Sequence, residues 1–175
     1  SADGKSIAFT RQERPYPGET EKTIVQILDV ASGAVRPLTS HKLVEAFPQW
    51  SPDGAHVAYL YGRDGDVMNV ADAYLTTPAG GTEGANLTRA LDRMFYRILW
   101  LPDSKSFLVG ANDVDRVSLW QVPVNGAPRK LSLAGVRPST GYWLHVHVGQ
   151  PGHLPFPRPH AAPPGPPPAQ PPPPP

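Results

Sequence analysis

One nine-residue phrase occurs three times at fifty-residue intervals. It reads Ser1-Ala2-Asp3-Gly4-Lys5-Ser6-Ile7-Ala8-Phe9, then Ser51-Pro52-Asp53-Gly54-Ala55-His56-Val57-Ala58-Tyr59, then Leu101-Pro102-Asp103-Ser104-Lys105-Ser106-Phe107-Leu108-Val109. A fixed period of that size is the mark of a repeat architecture. No single repeat of this length can bury its own apolar face, so stability and function belong to the array.

Each repeat has the same internal grammar. An Asp-Gly or Asp-Ser turn opens it, with Pro presetting φ and Gly tolerating positive φ. Short β-rich runs follow at Ser6–Thr10, His56–Tyr61 and Ser106–Gly110. After a polar loop come second runs at Thr23–Val30, Asp72–Thr77 and Val117–Val124, then a tight turn; Asn125-Gly126 is the strongest hairpin signal of the three. A last strand ends on Leu plus a hydroxyl residue, at Leu38-Thr39, Leu87-Thr88 and Leu131-Ser132. A further strand precedes the next turn and closes on Trp50 or Trp100. No window of useful length has helical period.

Four short antiparallel strands per repeat predict an all-β fold: an incomplete β-propeller of about three four-stranded blades. The expected blades are residues 1–45, 46–95 and 96–140, with the start of another to 147. Fourteen of the 24 prolines lie between Pro151 and Pro175, and residues 148–175 are expected to be a disordered proline-rich tail with little to bury. Val148 to Phe156 resembles a damaged fourth phrase with Pro where strand residues belong. Two accounts stand: a departure from the natural reading frame near residues 144–151, or a genuine linker extended as polyproline II.

Composition removes several classes of function. Sixteen basic and 15 acidic residues are scattered along the chain, with no basic stripe for nucleic acid. Cysteine is absent, which excludes disulfides and thiolate metal sites. No apolar run approaches the roughly 20 residues of a membrane span. The start has no signal-peptide features, but it opens inside a repeat phrase, which places the expected N-terminus upstream. The compartment stays open between bacterial cytoplasm and periplasm.

The phrase Ser-Pro-Asp-Gly-Lys-x-Ile-Ala-Phe preceded by Trp resembles the repeat of TolB-type propellers and of the propeller in the prolyl oligopeptidase family of serine peptidases. The resemblance runs from residue 1 to about 143. Leu87-Thr88-Arg89-Ala90-Leu91-Asp92-Arg93-Met94-Phe95-Tyr96 and Leu108-Val109-Gly110-Ala111-Asn112-Asp113 resemble the dipeptidyl and acylaminoacyl peptidase branch. That resemblance implies a non-catalytic domain that gates and positions peptides for an α/β-hydrolase domain. No Gly-x-Ser-x-Gly elbow occurs in the chain, so no catalytic residue is carried over. The partners so implied are a peptide substrate and that hydrolase domain. The alternative is a TolB-type module that binds protein partners in the cell envelope. A sugar- or metal-binding lyase propeller has no supporting ligand cluster. Raw sheet edges predict self-association of the isolated chain.

Residue by residue, structural roles compete with functional ones. Asp3, Asp53 and Asp103 are turn residues whose carboxylates accept backbone N–H bonds rather than a repeated carboxylate site. Gly4, Pro52, Gly54 and Pro102 belong to the same turns. Trp50 and Trp100, with Trp120 and Trp143, are assigned to blade packing rather than an aromatic cage. His145 and His147 share one side of a strand but lack the third ligand that zinc requires. Asp64-Gly65-Asp66 and Asn112-Asp113-Val114-Asp115 lack a calcium pattern, and Asn86-Leu87-Thr88 is a short sequon match. Neither a metal nor a cofactor is expected. The binding candidates are Arg11, Arg14, Tyr16, Arg93, Phe95, Tyr96 and Arg97, where arginine mixes with aromatics as it does at interface hot spots.

Overall fold

The structure is a computed structural model that describes residues 1–14, 16, 22–114 and 116–134. The expected tail, the start of a further blade, Trp143, His145 and His147 lie outside the described residues.

Among the described residues, eleven strands form three antiparallel sheets. The first sheet joins β1 (Ser6–Gln12), β2 (Thr23–Asp29) and β3 (Val35–Pro37). The second joins β4 (Glu45–Trp50), β5 (Val57–Gly62), β6 (Ala71–Thr76) and β7 (Ala85–Asn86). The third joins β8 (Phe95–Trp100), β9 (Ser106–Asp113), β10 (Arg116–Pro123) and β11 (Arg129–Lys130). Within each sheet the strands neighbour one another in chain order, a meander set by the tight turns. The first sheet has three strands where four were expected.

Alternation along the strands accounts for the stacking. Val57 and Tyr59 of β5 face the first sheet and meet Val25, Ile27 and Leu38. Ala58 and Leu60 face the other way and meet Phe95, Ile98, Trp100, Phe107 and Val109. Both faces of the middle sheet are therefore core, which is why its central strand β5 reads as an unbroken apolar run. β4 lies on β1 and β2, and β8 lies on β4, β5 and β6, so consecutive sheets stack as propeller blades do.

The repeated phrase makes the same turn each time. Asp3, Asp53 and Asp103 accept the N–H of Lys5, Ala55 and Lys105 at 3.1, 3.0 and 2.9 Å. Ser1 and Ser51 hydroxyls add bonds of 2.6 Å to the first two carboxylates, and those bonds hold both carboxyls below their ordinary values. The next turn position is left-handed in all three, at φ 71° for Gly4, 73° for Gly54 and 58° for Ser104.

The Leu-plus-hydroxyl ending also has one meaning. Leu38, Leu87 and Leu131 donate their N–H to Val25, Ala73 and Leu119 carbonyls at 2.9, 2.9 and 2.8 Å. Each Leu thus extends the outer ladder one step beyond the strand. In the second sheet the Thr88 hydroxyl oxygen then accepts the Ala73 N–H at 2.8 Å.

Both inner strands, β4 and β8, carry a one-residue bulge, between Ala46 and Gln49 and between Phe95 and Ile98. A bulge turns the side chains beyond it onto the opposite face. It puts Phe95 on the face of Ile98 and Trp100, and Glu45 on the face of Trp50.

Candidate functional site

Antiparallel order sends the β1–β2, β3–β4, β5–β6, β7–β8 and β9–β10 connections to one end of the stack. The repeated Asp turns lie at the other end, where the Asp53 N–H reaches the Ser104 hydroxyl at 3.0 Å. The binding candidates named from sequence all map to the first end. Arg11, Arg14 and Tyr16 flank the β1–β2 connection and are exposed; the Gln12 amide donates to the Tyr16 carbonyl at 3.0 Å. Arg93, Phe95, Tyr96 and Arg97 lie where the β7–β8 connection enters β8.

At this end an open apolar groove of about 360 Å³ runs between the second and third sheets; Thr23, Val44, Phe47, Val67, Met94 and Tyr96 line it. Phe47, Val67 and Met94 are exposed there, at 46, 39 and 45 %. Phe47 stands in the β4 bulge with φ 54°, which turns its ring outward. Phe95 borders the groove only from below. Its ring is 2 % exposed and meets Trp120 edge-on at 6.1 Å, so the bulge spends it on the core. Tyr96 lines the groove, and its phenol oxygen accepts the Asn112 amide at 3.0 Å. Arg97 is half-buried in the bulge.

Ion pairs fix the loops around the groove. Arg63, at the start of the β5–β6 loop, meets Asp72 through Nε at 3.1 Å and Nη2 at 3.2 Å, and Asp92 through Nη1 at 2.7 Å. Asp72 is fully buried, and the Asn86 amide completes its shell at 2.9 Å. These bonds raise the Arg63 pKa above its already high value and lower that of Asp92. Arg89 pairs with Asp64 at 3.0 Å, so that carboxylate belongs to a loop-to-loop bond. Arg93 reaches Asp113 at 3.3 Å, and Ser118 and Lys130 bond the same carboxylate. The Lys130 bond leads in holding the Asp113 carboxyl down to about 2.

A second polar cluster is wholly internal. Glu45, buried on the face toward the first sheet, accepts the Val25 N–H at 2.7 Å. Its other oxygen takes the Thr39 hydroxyl and lies 3.0 Å from His41 Nδ1. The His41 ring stacks on Tyr61 at 3.6 Å, and Tyr74 stands edge-on to it at 5.6 Å. Burial pushes the neighbouring Tyr59 phenol up. Glu45 here does for Val25 what the Thr88 hydroxyl does for Ala73. Sequence reading singled out neither Arg63 nor Glu45. Arg63 pairs with Asp72 and Asp92, 9 and 29 positions away, and Glu45 with Val25, 20 positions away, while the nearer Thr39 and His41 carry no motif that marks them.

Comparison with known proteins places this geometry. No protein-family model matches the chain. It is 28 % identical over 110 residues to an uncharacterized peptidase, YuxL, of Bacillus subtilis, covering 61 % of this chain and 16 % of that protein. It is 27 % identical over 137 residues to a dipeptidyl-peptidase 5 of Aspergillus fumigatus, covering 71 % and 19 %. The chain thus spans less than a fifth of the length of these relatives. Among solved structures it resembles a putative TolB from Agrobacterium tumefaciens, with TM-score 0.59, 17 % identity, and 74 % and 46 % coverage of the two chains. It also resembles TolB from Acinetobacter baumannii, with TM-score 0.57, 20 % identity, and 77 % and 31 % coverage. The fold is that of the TolB β-propellers, the relatives by sequence are peptidases, and a propeller piece of a peptidase-family protein fits both.

Proposed function

We propose that this chain is the non-catalytic propeller portion of a prolyl oligopeptidase-like serine peptidase, gating and positioning peptides for a hydrolase domain carried elsewhere in the parent protein. The similarity to two peptidases across the repeats carries this reading. The loop end supplies a suitable surface: an apolar groove for a side chain, framed by arginines that are held by carboxylates. Exposed apolar patches rimmed by polar groups mark binding sites.

Sequencing the source locus beyond both ends of this chain is the test. A Gly-x-Ser-x-Gly elbow in a downstream domain, in this frame or a shifted one, supports the peptidase. A stop after further blades with no elbow removes it. Binding at the groove is tested by titrating the chain with a tryptic peptide mixture under NMR. Shifts at Val67, Met94 and Tyr96 that Met94→Asp abolishes are expected; shifts confined to the Asp-turn end would overturn the assignment.

The TolB likeness favours a second reading, a stand-alone module binding protein partners in the cell envelope. It predicts the stop.

A further inference from the structure

Arg63 has two kinds of partner. Its Nε and Nη2 hold Asp72 at 3.1 and 3.2 Å, and Asp72 is fully buried. Its Nη1 holds Asp92 at 2.7 Å; the Arg63 side chain is 15 % exposed and the Asp92 side chain 75 %. The first pair aims the guanidinium, because a two-pronged bond to a buried carboxylate fixes a planar group. The second is an ion pair at the surface, where such pairs are worth little. Asp92 also sits at φ 50°, a left-handed backbone that strains a residue with a Cβ. One donor of a firmly held arginine is therefore occupied by a carboxylate that is easily displaced.

The groove gives that donor its meaning. Gly62, which lines it, directly precedes Arg63, and Met94, which lines it, follows Asp92 by two residues. Among the described residues, none that lines the groove is charged, so a charge on a ligand has to be met at the rim. Across the same two loops Arg89 holds Asp64 at 3.0 Å in the opposite sense. The loops therefore stay joined when Arg63 changes partner.

We propose that Arg63 is a specificity-determining residue of this groove, which takes a peptide carrying a large apolar residue next to an acidic one. The ligand carboxylate replaces Asp92 on Nη1, and the neighbouring apolar side chain enters the groove. Asp92 is the resident substitute for that carboxylate, and the Asp72 bonds hold the guanidinium through the exchange. The inference rests on the reading of the groove as a peptide site and adds the class of peptide.

The probes are two blocked peptides, acetyl-Glu-Phe-Glu-amide and acetyl-Gln-Phe-Gln-amide, titrated into the full chain at low salt, where exposed charges are least screened. The Val67 and Met94 methyl resonances are the readout. Both peptides should shift them, and the acidic one should bind about three- to tenfold more tightly, the worth of one charge-assisted hydrogen bond. Asp92→Asn removes the competing carboxylate and keeps a residue that tolerates left-handed backbone. It should strengthen the acidic peptide about two- to fivefold and leave the neutral one unchanged. A damaged loop does not produce a gain of affinity for one peptide alone. Equal binding of both peptides to the unaltered chain would overturn the inference and leave the groove reading standing. No shift at Val67 or Met94 with either peptide would remove the groove reading and this inference with it. An equal gain from Asp64→Asn would assign the effect to overall charge instead of Arg63, and would overturn the inference as well.

Discussion

The indole Nε1 of Trp100 reaches across the blade boundary to the Gln49 carbonyl at 3.0 Å. It is a directional bond across a boundary that is otherwise mainly apolar, with the Asp53–Ser104 bond at the turn end and the Arg63–Asp92 pair at the loop end. Trp100→Phe should therefore cost about 0.5–1.5 kcal/mol more than Trp50→Phe, because only the Trp100 indole N–H makes a hydrogen bond, to the part-buried Gln49 carbonyl. Urea unfolding of the two variants measures the difference. Equal losses would mean that the rings act by volume alone.

Gly80 turns beneath the first sheet. A Cβ there would lie 2.1 Å from the Leu38 carbonyl oxygen, and its φ is +68°. Gly80→Ala should lower stability by about 2 kcal/mol or more, combining overpacking with left-handed strain. Gly54→Ala, with φ +73° and open space, carries the conformational cost alone and should lose about 1 kcal/mol. Thermal melts of the pair separate the two effects.

Removing the Glu45 carboxylate strands the Val25 N–H, the Thr39 hydroxyl and the His41 ring together. Glu45→Ala should cost about 3–5 kcal/mol, the range for breaking a buried polar pair. Glu45→Gln keeps an acceptor and should lose less. Loss of exchange protection at the Val25 amide, ahead of global unfolding, is the local signature to look for.

The Asp113 carboxyl, held at about 2 by Lys130, Ser118 and Arg93, gives the acid limb a sign. Its folded pKa lies below the ordinary value of about 3.9. Its contribution is therefore present above pH about 4 and fades as pH falls toward 2. Lys130→Ala should raise the Asp113 pKa and move the onset of acid unfolding to higher pH. Carboxyl-detected NMR titration reads the first effect and circular dichroism the second.

Much of the fold was legible because each repeat states it again. Asp3, Asp53 and Asp103 make one bond, and Leu38, Leu87 and Leu131 make another. A local rule repeated three times is hard to misread. Phe95 was not legible as core: strict alternation from Trp100 puts Tyr96, not Phe95, on the buried face, and only the bulge exchanges them. The Arg63 and Glu45 networks were hidden because they join loops and sheets through partners whose adjacency is tertiary. Ser104 shows the opposite case. It takes the left-handed position that Gly4 and Gly54 take, so the turn overrode the residue's own preference.

The bulge in β4 works as a parity bit. One extra residue between Ala46 and Gln49 lets Trp50 and Glu45, five positions apart, address the same neighbour. Deleting Phe47 would not merely shorten the strand. It would reverse the message upstream, turning Glu45 toward the third sheet and leaving the Val25 N–H with nothing to answer. A length change of one, harmless in most surface loops, is here a change of address for a buried charge.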